Sequence, residues 1–231
     1  MKNILKEKPS TNLKGRLRYS VNFVDDRDIK NKEILDIGCG YGWCELDFLN
    51  RGVKKIYGIE ISNEDLDTAR EFVKDSRVSF ITGSAIKIPL PDNSIDTIVA
   101  WEVIEHIPSN TEEKMFKEVE RVLKKGGVFY LSTPYQNILS NFLDPAWYLA
   151  GHRHYSEKLL KSYGESAGLK VEHIRTAGGI WSLLSLINFY ISKWIFRRRP
   201  IFENFFSKLD DKEYSKSSGI FNIFVSYRKP L

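Results

Sequence analysis

The amino-acid sequence predicts an α/β protein: a doubly wound, seven-stranded, mostly parallel sheet with helices on both faces and a helical insertion before the last strand. Short apolar runs alternate along the chain with amphipathic helical patterns, which is typical of a parallel sheet. The first apolar run ends in a glycine-rich turn, which predicts a ligand at a strand end. The length of 231 residues and the 42% hydrophobic content suit one domain, residues 1–231, with a sizeable core.

Seven apolar runs are predicted as strands, because they are short and are bounded by glycine, proline or polar residues. The fourth run is nearly all apolar, so we expect it to be buried on both faces. The runs are residues 33–38, 55–60, 77–82, 95–101, 128–132, 169–176 and 221–227. In such sheets ligands bind beyond the carboxyl ends of the strands, so functional residues are expected there.

Four helices are predicted between these strands. Ser62 and Ser156 stand at expected N-cap positions, and glycines follow two of the helices as stop signals. The helices are residues 43–50, 62–73, 111–123 and 157–167.

The glycine-rich turn is the run Asp36-Ile37-Gly38-Cys39-Gly40-Tyr41-Gly42. Its alternate glycines let the backbone pass close to a ligand, and the next helix presents free N–H groups there. A dinucleotide site has the spacing G-x-G-x-x-G, but Trp43 stands where that third glycine would be. Asp36 can meet a cationic group, and Glu60 ends the second strand, where a carboxylate can hold a ribose diol. Taken singly, either acid could instead be a cap or a solvated strand end.

The order of these motifs resembles the class I S-adenosylmethionine-dependent methyltransferases, which have a Rossmann-like fold. The matching segments are residues 34–42, 57–62, 83–96, 101–106 and 123–133. The resemblance implies S-adenosyl-L-methionine as the cofactor, with Glu60 on its ribose and residue 84 near its adenine. That residue is usually acidic in the family, and here the Ser84 oxygen would accept instead. The implied cofactor-binding residues are Asp36, Gly38, Gly40, Tyr41, Glu60, Ile61, Ser84, Ala85, Ile86 and Trp101.

Histidines after the fourth and fifth strands are candidates for removing a proton from the methyl acceptor, since histidine accepts a proton near neutral pH. The candidate catalytic residues are His106, His152 and His154. Alternatively, His106 packs over the cofactor loop as a structural residue, and the other two belong to a polar loop that caps a helix. No metal site is expected, because Cys39 and Cys44 have no nearby histidines and suit free thiols.

Three segments should build the acceptor pocket: an N-terminal basic arm or cap, residues 1–30, and two insertions, residues 134–156 and 178–219. We expect methyl transfer to an oxygen of a small-molecule, lipid or glycan acceptor, with nitrogen or carbon less favoured. The segment after the fourth strand lacks the Asn/Asp-Pro-Pro-aromatic tetrapeptide of enzymes that methylate nucleic-acid bases. No sequence-specific nucleic acid is therefore expected. The alternatives are an NAD(P)-dependent oxidoreductase and a non-catalytic cofactor-binding protein.

The formal net charge of +5 equals that of residues 1–18 of the N-terminal arm, because the charges of residues 19–231 cancel. Residues 180–196 are apolar nearly all round but too short to span a bilayer. They are expected to form either a buried lid or dimer helix, or a membrane-surface anchor with Lys193 and Arg197–Arg199 at anionic headgroups. No apolar signal-peptide region is visible. These patterns predict a cytoplasmic monomer or homodimer, with peripheral attachment to the inner membrane face as the open alternative.

Overall fold

The computed structural model, which describes residues 7–137 and 151–231, contains one seven-stranded sheet. Its strands are β1 (Glu33–Ile37), β2 (Lys55–Glu60), β3 (Val78–Thr82), β4 (Ile95–Trp101), β5 (Leu123–Pro134), β6 (Lys170–Ala177) and β7 (Asn222–Arg228). Their order across the sheet is β3-β2-β1-β4-β5-β7-β6. The chain therefore winds outward from β1 in both directions, and the predicted doubly wound fold is confirmed.

The first five strands run parallel, and β7 enters between β5 and β6 antiparallel to both. Pro134 of β5 and Ala177 of β6 both pair with Asn222, the first residue of β7. The segment that leaves β6 therefore starts at the same edge as the ends of β1 to β5. Ligands bind at this carboxyl edge in doubly wound sheets.

Seven helices are described: α1 (Gly15–Phe23), α2 (Trp43–Asn50), α3 (Asn63–Phe72), α4 (Glu112–Val122), α5 (Glu157–Ser166), α6 (Ile180–Tyr190) and α7 (Glu203–Tyr214). A π-helical turn, Ile191–Ile195, continues α6. The predicted N-caps are confirmed, because Ser62 and Ser156 accept from the N–H groups of Asp65 and Leu159 at 3.2 and 3.3 Å. Helix α6, the π turn and α7 form the predicted helical insertion before the last strand.

The core lies on both faces of the sheet, and strand residues alternate between the two sides. On β5, for example, Val128 and Tyr130 pack on one side, whereas Phe129 and Leu131 pack on the other. Helices α4 and α5 contribute to the larger cluster through residues such as Phe116, and α2 contributes Phe48 to the second. This packing leaves the carboxyl edge of the sheet to the loops and to the N-terminal and inserted helices.

The structure differs from the predicted elements at three places. Strand β5 begins at Leu123, which already pairs with Ile95, and the register shifts before Val128. Gly126, with φ of +76°, permits this bulge. Helices α1 and α7 lie where no element is predicted; α1 has no side-chain cap and packs against α7, so tertiary contact stabilises it. Of the insertion 134–156, residues 138–150 lie outside the described residues.

Candidate functional site

The glycine-rich turn folds over the end of β2, where the N–H of Gly38 donates to the carbonyl of Ile59 at 2.8 Å. Gly38 and Gly40 have φ of +73° and +52°, which strains residues that carry a side chain. A Cβ at Gly38 would lie 2.6 Å from Val103, whereas one at Gly40 would meet nothing within 4 Å. Gly38 thus lets Val103 approach the turn, and Gly40 leaves open space in which a ligand can lie against the backbone.

The carboxylate of Glu60 lies beside this space and is held by backbone N–H groups. One oxygen accepts from Gly40 at 3.3 Å, and the other accepts from Ile61 and Ser62 at 2.7 and 3.2 Å. A carboxylate offers about four lone-pair positions. Glu60 can therefore accept hydrogen bonds from a ligand while these backbone bonds fix its position.

A cavity of about 430 Å³ extends along the carboxyl edge from the end of β2 to the turn after β4. The side chain of Ile61, at its rim, is 76% exposed and offers an apolar face to a flat ring. The predicted site residues that line the cavity are Gly38, Glu60, Ile61, Ser84, Ala85 and His106. The structure adds lining residues that the sequence did not single out, among them Asp65, Glu102 and Val103.

Tyr41, Ile86 and Trp101 are among the predicted residues that lie outside this lining. Tyr41 is half-buried, and burial together with the nearby Asp65 raises its pKa to about 12. The N–H of Ile86 donates to the Ser84 hydroxyl at 3.4 Å, so that oxygen is partly engaged in its own turn. Trp101 packs against Phe224, with ring centroids 6.4 Å apart, in an aromatic cluster beneath the N-terminal helix.

Asp36 lies beneath the glycine-rich turn and is 2% exposed. Burial raises its pKa well above the ordinary value, and the carboxylates of Glu45 and Glu60 raise it further. Glu45, in α2, is fully buried, and neither of its carboxylate oxygens has a hydrogen-bond partner among the described residues. Burial raises the pKa of Glu45 to about 8. A cation near this pair would favour the charged carboxylates, so the pair can respond to a positively charged ligand group.

Sequence reasoning missed Glu45, because a glutamate in a short helix is ordinarily taken to face solvent. The glycine at position 58, inside β2, is the one sequence feature that relates to this buried carboxyl. A Cβ at Gly58 would lie 2.8 Å from Glu45, so the glycine makes room for the buried carboxyl.

The candidate histidines gather near the turn that follows β4. The rings of His106 and His152 meet edge to face, with centroids 4.3 Å apart, and His154 is buried. Arg153 holds this loop against the turn by donating to the carbonyls of Ile104 and Ile107, each at 2.7 Å. Burial lowers the pKa of His106 below its ordinary value. His106 is therefore mostly neutral at pH 7 and can accept a proton.

Glu102, the first residue after β4, anchors a polar cluster next to His106. Its φ of +56° is unusual for a residue with a side chain, and the surroundings hold it in place. Ser132 and Asn222 donate to its carboxylate at 2.7 and 3.0 Å, and Arg16 of α1 forms an ion pair with it at 2.5 Å. These residues belong to four separate segments, so no local sequence pattern joins them.

Within the described ranges, no group of histidine, cysteine, aspartate and glutamate side chains is placed to bind a metal ion. No helix in the same ranges is both long and apolar enough to cross a membrane. Cys39 and Cys44 are free and buried, and burial raises the pKa of both thiols well above the ordinary value. Neither thiol is therefore set up as a nucleophile.

Comparison with known proteins finds similarity to methyltransferases. Residues 35–131 match the family described as a methyltransferase domain. A norajmaline N-methyltransferase of Rauvolfia serpentina is 32% identical over 127 residues, which are 53% of this chain and 42% of the relative. A sterol 24-C-methyltransferase of Gibberella zeae is 32% identical over 101 residues, which are 42% of this chain and 26% of the relative. The chain thus spans less than half the length of either relative.

Similarity of fold extends over more of the chain. The solved structure of an S-adenosylmethionine dependent methyltransferase from Mesorhizobium loti has a TM-score of 0.63 and 17% identity to this chain. The similarity covers 92% of this chain and 95% of that one. At this identity the comparison concerns the fold, which the two proteins share almost throughout.

Proposed function

We propose that this chain, which belongs to the class I S-adenosylmethionine-dependent methyltransferases, transfers the methyl group of S-adenosyl-L-methionine to an acceptor bound beside His106. The acceptor we propose is an oxygen of a small molecule, a lipid or a glycan. One observation carries the proposal: a single cavity joins Glu60, at the end of β2, to His106 in the turn after β4. Cofactor and acceptor can therefore lie in contact.

The residues at the β2 end fit this cofactor. Gly40 leaves open space against the turn, and Glu60 keeps lone pairs for the two ribose hydroxyls. Ile61 offers an exposed apolar surface to one face of the adenine. The buried pair Asp36 and Glu45 would favour the positively charged methionine end. The residues that would line the cofactor are Gly38, Gly40, Glu60, Ile61, Ser84 and Ala85.

The bound cofactor supplies an electrophilic methyl group, so the residues of this chain have to align the acceptor and take up its proton. His106, neutral because burial lowers its pKa, would accept the proton of an acceptor hydroxyl. The edge of His152 against its ring restrains its orientation. Glu102, held by Arg16 and Asn222, forms the fixed polar wall of the same end. Alignment of this kind can contribute several kcal/mol.

A neutral histidine at the acceptor end is compatible with an oxygen acceptor, because a hydroxyl, like an ammonium, must lose a proton when it is methylated. The two relatives are named as nitrogen and carbon methyltransferases, so they do not favour oxygen themselves. We also propose a cytoplasmic location, which the two free, buried thiols support.

The test is a screen of cell extracts with methyl-labelled S-adenosylmethionine, followed by mass spectrometry of the labelled product. We expect one class of product that requires the protein and carries the label on an oxygen. Label on nitrogen or carbon would correct the acceptor atom. Calorimetry should show binding of S-adenosylhomocysteine, and preferred binding of NAD would reject the proposed function.

A further inference from the structure

The helical segment of residues 180–195 buries polar side chains while several of its apolar side chains are exposed. Ser182 and Ser192 are 5% and 1% exposed. The backbone N–H and the hydroxyl of Ser182 both donate to Glu213 of α7, at 2.9 and 3.3 Å. A helix that faces water has the reverse arrangement, with its apolar stripe toward the core. The outward face is therefore poorly suited to contact with water.

An apolar face covers the outside of this segment and continues through the turn before α7 into the start of that helix. We define it by Leu184, Ile191, Ile195, Phe196, Phe202 and Phe205, which are 37%, 42%, 70%, 55%, 76% and 56% exposed. Ile191 and Ile195 follow Leu184 on one side of the helix, since they are spaced by seven and four residues. The side chain of Asn188 donates to the carbonyl of Ile201 at 2.7 Å, which fixes the turn against the helix. The face is thus one preformed surface.

Three arginines, Arg197–Arg199, are exposed within this face, whereas the nearby Lys193 is buried. Lys193 is 8% exposed and pairs with Glu7 at 3.1 Å, so the expectation that it reaches anionic headgroups is wrong. Lys193 is buried together with its neighbour Ser192, on the polar side of the helix. Arg197, Arg198 and Arg199 are exposed and form no ion pair within the described part of the chain. The guanidinium of Arg198 lies over the ring of Phe196 at 5.1 Å.

We propose that the apolar face docks on an anionic lipid bilayer, with its isoleucines and phenylalanines in the interface and Arg197–Arg199 at the headgroups. Apolar side chains flanked by exposed cations are complementary to such a surface. A second copy of this chain is a poorer occupant, because a symmetric contact centred here would bring two arginine runs together.

Docking would also place the candidate site near the bilayer. The insertion starts just after Ala177, which pairs with Asn222, and Asn222 donates to Glu102 in the cavity wall. An acceptor with a lipid portion could then reach the cavity from the membrane. This consequence rests on the proposed function, whereas the docking surface does not.

The experiment is co-sedimentation of the full chain with vesicles of phosphatidylcholine alone and of phosphatidylcholine mixed with phosphatidylglycerol. We expect binding to the mixed vesicles that weakens as salt is raised. Replacing Arg197, Arg198 and Arg199 with glutamine should weaken it roughly 100-fold. The variant Phe202→Ser/Phe205→Ser should weaken it at least about 10-fold, because interfacial burial of the rings is lost.

The matched control replaces three exposed lysines on a different part of the surface, Lys114, Lys117 and Lys125, with glutamine. It removes the same charge and should leave vesicle binding within about twofold, since those positions lie outside the face. Binding of S-adenosylhomocysteine and the thermal unfolding curve report whether each variant is folded. No vesicle binding by the wild type, or equal losses in the control, would overturn the proposal. Self-association abolished by Phe202→Ser/Phe205→Ser, without vesicle binding, would assign the face to a dimer instead.

Discussion

Arg16 of the N-terminal helix and Glu102 at the end of β4 form an ion pair of 2.5 Å across the mouth of the candidate site. Two further contacts tie the same helix to α7: the N–H of Gly15 donates to Asp211 at 2.5 Å, and Arg18 pairs with Asp211 at 3.0 Å. From residue 15 onward the basic N-terminal arm is therefore packed beside the site, through its contacts with Glu102 and Asp211.

The ion pair should couple the N-terminal helix to the site. We expect Arg16→Gln to destabilise the protein by about 1 kcal/mol, because it leaves the carboxylate of Glu102 without its cation. Backbone amides of Gly15–Phe23 should then exchange hydrogen faster. In a double-mutant cycle with Glu102→Gln, the double variant should lose less than the sum of the single losses. Arg27→Gln is the control, since Arg27 pairs with Asp25 nearby, and additive losses in the cycle would contradict the coupling.

Glu60→Ala should weaken binding of S-adenosylhomocysteine by about 10- to 100-fold, because hydrogen bonds to a charged group contribute ~1.5–3 kcal/mol. The fold should survive, since this carboxylate lies at a strand end. Calorimetry measures the dissociation constant, with Glu64→Ala as the control on the exposed side of α3. An unchanged dissociation constant would remove Glu60 from the ribose site.

His106→Ala should lower turnover on the true acceptor by about 10²- to 10⁴-fold and leave cofactor affinity nearly unchanged. Because burial lowers the pKa of His106 below 6.5, the neutral form persists to mildly acidic pH. The wild-type rate should therefore be flat through neutral pH and fall only on the acid side. His173→Ala, on an exposed strand position, is the control. Full turnover in the His106 variant would make the residue structural.

Glu45→Gln should stabilise the protein above neutral pH. Burial raises the pKa of Glu45 from 4.5 to about 8, so the folded chain holds a proton that the unfolded chain has released. This contribution to stability is complete below about pH 4.5 and is lost as the pH rises to about 8, by at most about 1.4 kcal/mol per pH unit.

Urea unfolding at several pH values between 5 and 9 measures this effect. The slope of the unfolding free energy against pH should be shallower in Glu45→Gln than in the wild type, although Asp36 acts in the same direction. Glu71→Gln, on the exposed side of α3, should keep the wild-type slope. Equal slopes for Glu45→Gln and the wild type would show that Glu45 is ionised in the folded protein.

Much of the fold follows from local patterns. Buried strands such as β4 are recognisable as short apolar runs, and the N-caps Ser62 and Ser156 stand where the sequence predicts them. Helices α1 and α7 could not be predicted in this way, because they depend on packing against each other and, for α7, also against α6. The antiparallel entry of β7 between β5 and β6 is also a long-range choice, since its residues suit either direction.

The sequence by itself determined the β2 end of the cavity, because a glycine turn and a strand-end carboxylate act through a few consecutive residues. The parallel pairing of β1 with β2 then brings Gly40 and Glu60, 20 residues apart in the chain, into contact. Only the tertiary structure decided which residues form the other end of the site, because Arg16, Glu102 and Asn222 meet there from separate elements. It also decided that Ser192 faces inward and Ile195 outward. Periodicity identifies the faces of a helix, but which face meets solvent depends on what the rest of the chain packs against it.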